Sequence, residues 1–249
     1  MLRRLSGFAV LLMVIAACAP AAGTTTTSTA RPTTTTTQPV VTTSTTTTAT
    51  IPVTTTTTLP GEPVDYGPLA GDEVMVVGVA YDDFLNLRAL PGADQEIIGA
   101  IDPLFTGLVA KGETRDLPGA FWIKVDHQGT VGWVHMSFIG YMGLTDDMTS
   151  SVVTNLGEYP TADDMTALGL IVAETFASIE PASHLVIVVA ATVGDLGEVT
   201  YDVIGIGDDS VLGFRVHVFG MPVTDGFSLK SVEVTTICGR GLTPDGICP

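Results

Sequence analysis

Between Leu85 and Ile139 the apolar residues come in short bursts, none long enough for a helix face and each closed by glycine or proline. Leu85 and Leu87 alternate with Asn86 and Arg88, the period-two pattern of a strand with one face buried. Val74, Val76 and Val77 suit a strand just before it. Ile97, Ile98 and Ile101, then Leu108 and Val109, then Trp122, Ile123 and Val125, then Val131, Trp133 and Val134 mark successive strands. Pro91-Gly92 is a turn signal, because proline presets φ and glycine tolerates φ > 0. Gly99, Gly107, Gly112, Gly119 and Gly129 punctuate the rest. Short strands at this spacing predict a small all-β barrel or sandwich.

The order Leu85-Asn86-Leu87-Arg88, Pro91-Gly92, Gly129, Gly132-Trp133-Val134 resembles the bacterial SH3-like domain. That family's usual text is L-N-V-R-x-x-P-G, a strand-rich middle and G-x-x-G-W-V. The resemblance covers about Val74 to Met142, within a domain placed at residues 62–142. It departs at Leu90, where small residues are common, and at Lys111 to Ala120, which reads as a longer loop. The resemblance implies an SH3-like barrel serving as a binding module of the bacterial cell envelope, with wall peptide or glycan (peptidoglycan) or an envelope protein as ligand. In such a barrel aromatic groups can line a groove for an extended peptide. Tyr81 and Phe84, which flank Asp82-Asp83, and Trp122 are the candidate ligand-binding residues. Trp133 reads as core, and Trp122 is open to the same reading.

The chain begins like an exported protein. Arg3 and Arg4 precede an apolar run, Phe8 to Ala17, too short to span a bilayer, so residues 1–17 read as a signal peptide. Val14-Ile15-Ala16-Ala17-Cys18 resembles a lipobox, in which the Cys18 thiol takes a diacylglyceryl group and becomes the anchored N-terminus after cleavage. At roughly 0.8 kcal/mol per buried CH₂, two or three acyl chains hold firmly where one would not. An ordinary signal peptide with an Ala-x-Ala cut is the alternative. The expected location is the extracytoplasmic face of the cell membrane, reached through the lipid anchor alone.

From Thr24 to Thr58, 22 of 35 residues are threonine, interrupted by Pro32, Pro39 and Pro52. With almost no charge and no apolar face, nothing offsets the entropy of ordering such a stretch. Residues 18–61 are therefore expected to form a disordered Thr/Pro-rich tether, open to O-linked sugar. Beyond it all 27 acidic side chains face only seven basic ones, a net −20. Nucleic acid is excluded as a natural partner, since phosphate contacts need a basic face. An acidic surface suits solubility, a salty habitat or a cationic partner.

A second domain is expected over residues 143–249, after a weak apolar pattern between Gly140 and Tyr159 with Asp146-Asp147 and Ser150-Ser151. Thr161 with Asp164 three residues on looks like a helix start. Met165, Leu168, Ile171, Val172 and Phe176 recur at helical spacing, and Pro181 ends the run. Leu185 to Ala190 reads as a strand covered on both faces. Val199, Tyr201 and Val203 alternate, then Phe214, Val216 and Val218, then Phe227 through Cys238. The expected fold class is thus an all-β SH3-like barrel followed by an α+β domain, one helix on a four-stranded antiparallel meander.

Cys238 and Cys248 are the only cysteines besides Cys18, and export favours a disulfide between them. The alternative, a thiolate nucleophile, needs a partner histidine. His127, His135, His184 and His217 form no ligand or catalytic motif. The Asp-Asp pairs at 82–83, 146–147, 163–164 and 208–209 lack the alternating form of a calcium loop. No metal, cofactor or catalytic residue is assigned, and the expected function is non-catalytic binding in the envelope. A wall hydrolase with an unrecognised site in the C-terminal domain, or a sensor or accessory subunit of an envelope complex, are the alternatives.

Overall fold

Val74-Met75-Val76-Val77 leaves no polar position on either side of a strand, and all four residues are buried. A strand covered on both faces must sit inside something larger than a one-sided sheet. The computed structural model describes residues 58–249; the signal segment, Cys18 and most of the expected tether lie outside the described residues. Eight strands come first: β1 (Glu62–Val64), β2 (Glu73–Val76), β3 (Leu85–Arg88), β4 (Ile97–Ile101), β5 (Leu108–Leu117), β6 (Ala120–His127), β7 (Thr130–His135) and β8 (Ile139–Asp147). A 3₁₀ turn, Met136–Phe138, joins the last two. Helix α1 (Thr149–Leu156), β9 (Thr161–Ala162) and helix α2 (Met165–Glu174) follow. Four strands complete the chain: β10 (His184–Val193), β11 (Gly197–Ile204), β12 (Val211–Val223) and β13 (Gly226–Cys238).

The strands form a single antiparallel network of 13, in the order β10-β11-β12-β13-β8-β2-β5-β6-β7-β3-β4, with β1 beside β5 and β9 beside β13. This overturns the expected fold class of a separate SH3-like barrel and a four-stranded α+β domain. The meander β10–β13 is present, but β13 does not end it. Glu233 to Cys238 pair with Asp147 to Tyr141 of β8, and the front of β8 pairs Ile139 and Gly140 with Val76 and Met75 of β2. The expected boundary at residue 142 falls inside β8. Backbone hydrogen bonds on both edges make that strand, and its side chains from Met142 to Asp147 are mostly exposed. Its apolar pattern therefore fades just where the pairing is continuous.

Other differences have equally local causes. Lys111 to Leu117 is strand, with a register shift between Ala110 and Thr114 that bends β5 where a loop is expected. Two α-helices occur among the described residues, not one. In α1 only Val152 is buried, so no apolar stripe announces it; Gly157, at φ 82°, caps its end. Thr161 does not start α2 but pairs with Ser228, and Asp164 is the N-cap, its Oδ1 accepting the Ala167 N–H at 2.8 Å. Strand β10 is an edge, and only Val188 of it is buried.

Three apolar clusters hold the network together. Leu87, Ile101, Leu108, Ile123, Val125 and Val134 centre the first, which also takes in Cys238 from β13. Met165, Leu168 and Val172 of α2 pack on Val199, Tyr201 and Val203 of β11 in the second. Gly169 sits where any Cβ would meet Val199 and Tyr201, so the helix lies close on the strand. Met75, Val77 and Ile237 form the third, between the other two, with Ile204 and Leu212 against it. The disulfide expected between Cys238 and Cys248 is present, with Cα atoms 5.2 Å apart.

A buried ion pair crosses the same seam. Asp202 is fully buried and lies opposite Arg215 in the β11/β12 register. Its Oδ1 accepts from Arg215 Nε at 2.8 Å, and its Oδ2 from Arg215 Nη2 and the Gly78 N–H at 2.9 Å each. Arg215 Nη2 also donates to the Val76 carbonyl at 3.1 Å. Removing one partner strands the other charge in the interior, which costs roughly 3–5 kcal/mol. Asp202→Ala is expected to lose stability on that scale in urea unfolding. A loss below about 1 kcal/mol would show that water, not Gly78 and Arg215, already satisfies this site.

Candidate functional site

Two clefts meet at the ring of His135. Strand β7 ends at this residue, and the 3₁₀ turn that follows sets its side chain. His135 Nδ1 accepts the Ser137 N–H at 3.2 Å and lies 2.6 Å from Ser137 Oγ. An accepting Nδ1 places the proton of the neutral ring on Nε2. Burial holds the His135 pKa below its usual 6.5, so the ring is uncharged near neutrality. It meets Trp122 edge-on at 5.5 Å and Phe138 at 5.6 Å between centroids.

On one side lies a groove of about 430 Å³, walled by Phe84, Arg88, Trp122, His135 and Phe138. The local sequence explains its lining. Leu85 and Leu87 point into the core, so Asn86 and Arg88 emerge on the other face of β3. Arg88 is held in place by its Nη1 donating to the Gln95 carbonyl at 2.6 Å. Phe84 and Phe138 are the exposed rings, at 52% and 36% exposure, while Trp122 is only 4% exposed and forms floor. Gly78, Phe138 and Val186 of this groove also border a second recess, of about 370 Å³, together with His184 and Ile204.

Of the expected ligand-binding residues, the structure brings Phe84 and Trp122 to one groove and leaves Tyr81 outside its lining. Tyr81 is half exposed, and its backbone N–H donates to the Ile187 carbonyl at 3.0 Å, pinning its loop to the edge of β10. Trp133 is core, as expected, at 2% exposure. Cys18 lies outside the described residues. In the sequence His135 is a histidine without a motif and Arg88 a motif arginine, and Phe138 carries no signal of its own. Their convergence depends on the turn at 136–138.

On the other side of His135 is a cleft of about 500 Å³. Tyr66 and Phe121 form one wall, their rings 5.6 Å apart and tilted by 59°. The opposite wall carries Asp208, Asp209 and Arg240 from the C-terminal part of the chain. Nothing in the sequence joins these five residues. Among the described residues no cluster of three or more histidine, cysteine or acidic side chains could hold a metal, and no helix is long and apolar enough to cross a membrane.

The depressed pKa of His135 has a consequence for stability. Between that value and 6.5 the unfolded chain binds a proton that the folded chain rejects, so stability falls as pH drops through this window and then levels off. His135→Gln is expected to flatten that part of the stability-against-pH curve in urea titrations between about pH 4 and 7. An unchanged slope would place the ring in water. Comparison of the chain with protein-family models, with curated proteins and with solved structures finds no match.

Proposed function

We propose that this is a non-catalytic, lipid-anchored protein of the bacterial cell envelope whose Phe84–Phe138 groove binds an extended peptide of the wall or of an envelope partner. The observation that carries the reading is the groove itself. Two exposed phenylalanine rings, the edge of a buried indole and one fixed guanidinium line it, and a second recess lies on the other side of Phe138. Isolated exposed aromatics are common, but rings gathered along a concave channel mark binding surfaces. Arg88 offers N–H donors to carbonyl or carboxylate groups of a peptide, in a folded part where acidic residues outnumber basic ones 27 to seven. The resemblance of residues 74–142 to envelope-binding modules supports the same class of ligand, although the strand network is not a separate barrel.

The anchor and the tether belong to the sequence side of this reading. Ile15-Ala16-Ala17-Cys18 supports lipidation at Cys18, and the Thr/Pro-rich stretch supports a folded part held away from the bilayer. Nucleic acid and direct docking on anionic lipid have no support, because the folded part carries a net −20.

Phe84→Ala is expected to weaken retention on purified peptidoglycan by roughly 1–3 kcal/mol, with β-sheet circular dichroism unchanged. Tyr81→Ala, outside the lining, should change it less. A folded Phe84→Ala variant retained like the parent protein would overturn the groove assignment. Cys18→Ala is expected to release the protein into the medium or leave its signal segment uncleaved. A processed Cys18→Ala species that still sediments with membranes would rule out lipidation at that residue.

A further inference from the structure

The cleft on the far side of His135 is built differently from the groove. Its aromatic wall is open: Tyr66 is 50% and Phe121 39% exposed, and they face the cleft as a tilted pair. Its polar wall is fixed by backbone. Asp208 Oδ1 accepts the N–H groups of Val211 and Ser210 at 2.8 Å each, which leaves Oδ2 free to accept from a ligand. Arg240 follows directly on the disulfide cysteine Cys238 and on Gly239, whose N–H donates to the Ser210 carbonyl at 2.8 Å. Its Nη1 stands 3.3 Å from Asp209 Oδ2.

We propose that this cleft is a saccharide site that takes a neutral oligosaccharide, distinct from the peptide groove across His135. The proposal rests on the envelope-binding reading and deepens it by giving the sugar part of the polymer a place of its own. A sugar ring presents a face of C–H groups, which packs on exposed aromatic rings, and a rim of hydroxyls, which donate to carboxylates and accept from guanidinium. Tyr66 and Phe121 supply the first need; Asp208 and the Asp209–Arg240 pair supply the second. Two carboxylates against one guanidinium disfavour an anionic ligand. The hydrogen bonds from Val211 and Ser210 keep the Asp208 carboxyl below its ordinary pKa, so it remains an acceptor in mildly acid conditions. A volume of about 500 Å³ falls in the range of small-molecule sites.

The test is calorimetric titration of the full chain with a neutral N-acetylglucosamine tetramer, with choline chloride as the cationic comparison. Tyr66→Ala and Phe121→Ala are each expected to weaken tetramer binding about tenfold or more. Asp208→Asn, which keeps the acceptor for Val211 and Ser210, should weaken it about threefold, while Phe84→Ala should stay within about twofold of the parent. Circular dichroism checks that each variant is folded. Binding that survives Tyr66→Ala and Phe121→Ala but is lost in Phe84→Ala would move the sugar into the groove and overturn the proposal. Choline binding at these rings without tetramer binding would make the cleft a cation site instead. A chain that holds peptidoglycan through Phe84 yet ignores the tetramer would sink the saccharide site and spare the envelope reading; a chain that binds neither sinks both.

Discussion

The carboxylate of Asp202 is the constraint around which the two parts of the chain meet. Taking a carboxylate fully out of water costs several kcal/mol, and only a complete set of donors offsets it. Here the set is Arg215 Nε, Arg215 Nη2 and the Gly78 N–H, so the donors come from both parts of the chain. Strand β11 explains why the charge is buried. Val199, Tyr201 and Val203 face α2, so Thr200 and Asp202 face the opposite way, and that side is covered too. The backbone of Val76 and Gly78 and the Met75–Val77–Ile237 cluster fill it. A hydrophobic pair could hold the same seam, but it would not specify the register in which Gly78 and Val76 arrive.

That register in turn positions the clefts. The chain leaves β2 at Val76, passes Asp202 at Gly78 and reaches the β10 edge at Tyr81, and only then turns back into Phe84 and β3. One wall of the Phe84–Phe138 groove is therefore set by a contact with the C-terminal meander. The second cleft depends on the meander still more directly, because its polar wall is the 208–211 turn and the segment after Cys238. The Gly239–Ser210 hydrogen bond and the pairing of Val211 with Cys238 tie those two pieces to each other, and the disulfide closes the second piece on itself. His135, set edge-on to Trp122 and tilted against Phe138, is the partition between a mainly aromatic groove and a mixed aromatic and charged cleft. An aromatic channel with one guanidinium and a ring pair facing carboxylates select different chemistries, and their adjacency fits a polymer that carries both.

Much of this was visible in the residues themselves. Alternation placed β3 and β11, glycine and proline placed the turns between strands, and Met165, Leu168 and Val172 of α2 are buried as their spacing requires, with Ile171 half-buried. The Cys238–Cys248 pair followed from the redox setting that export implies. Trp133 was legible as core. What these share is that side-chain period and local turn chemistry decide them within one element.

The sequence by itself determined strand content, the buried positions of the second helix and the excess of acidic side chains. Tertiary structure alone decided that the strands form one network, because β8 joins β2 to β13 through main-chain hydrogen bonds that leave no mark on side-chain periodicity. It alone decided that Asp202 is buried, since alternation on β11 predicts a solvent face until the Val76–Gly78 segment covers it. The cleft of Tyr66, Phe121, Asp208 and Arg240 is likewise tertiary. Its members stand up to 174 positions apart, from Tyr66 to Arg240, and a period of two or 3.6 residues carries no information over such a distance.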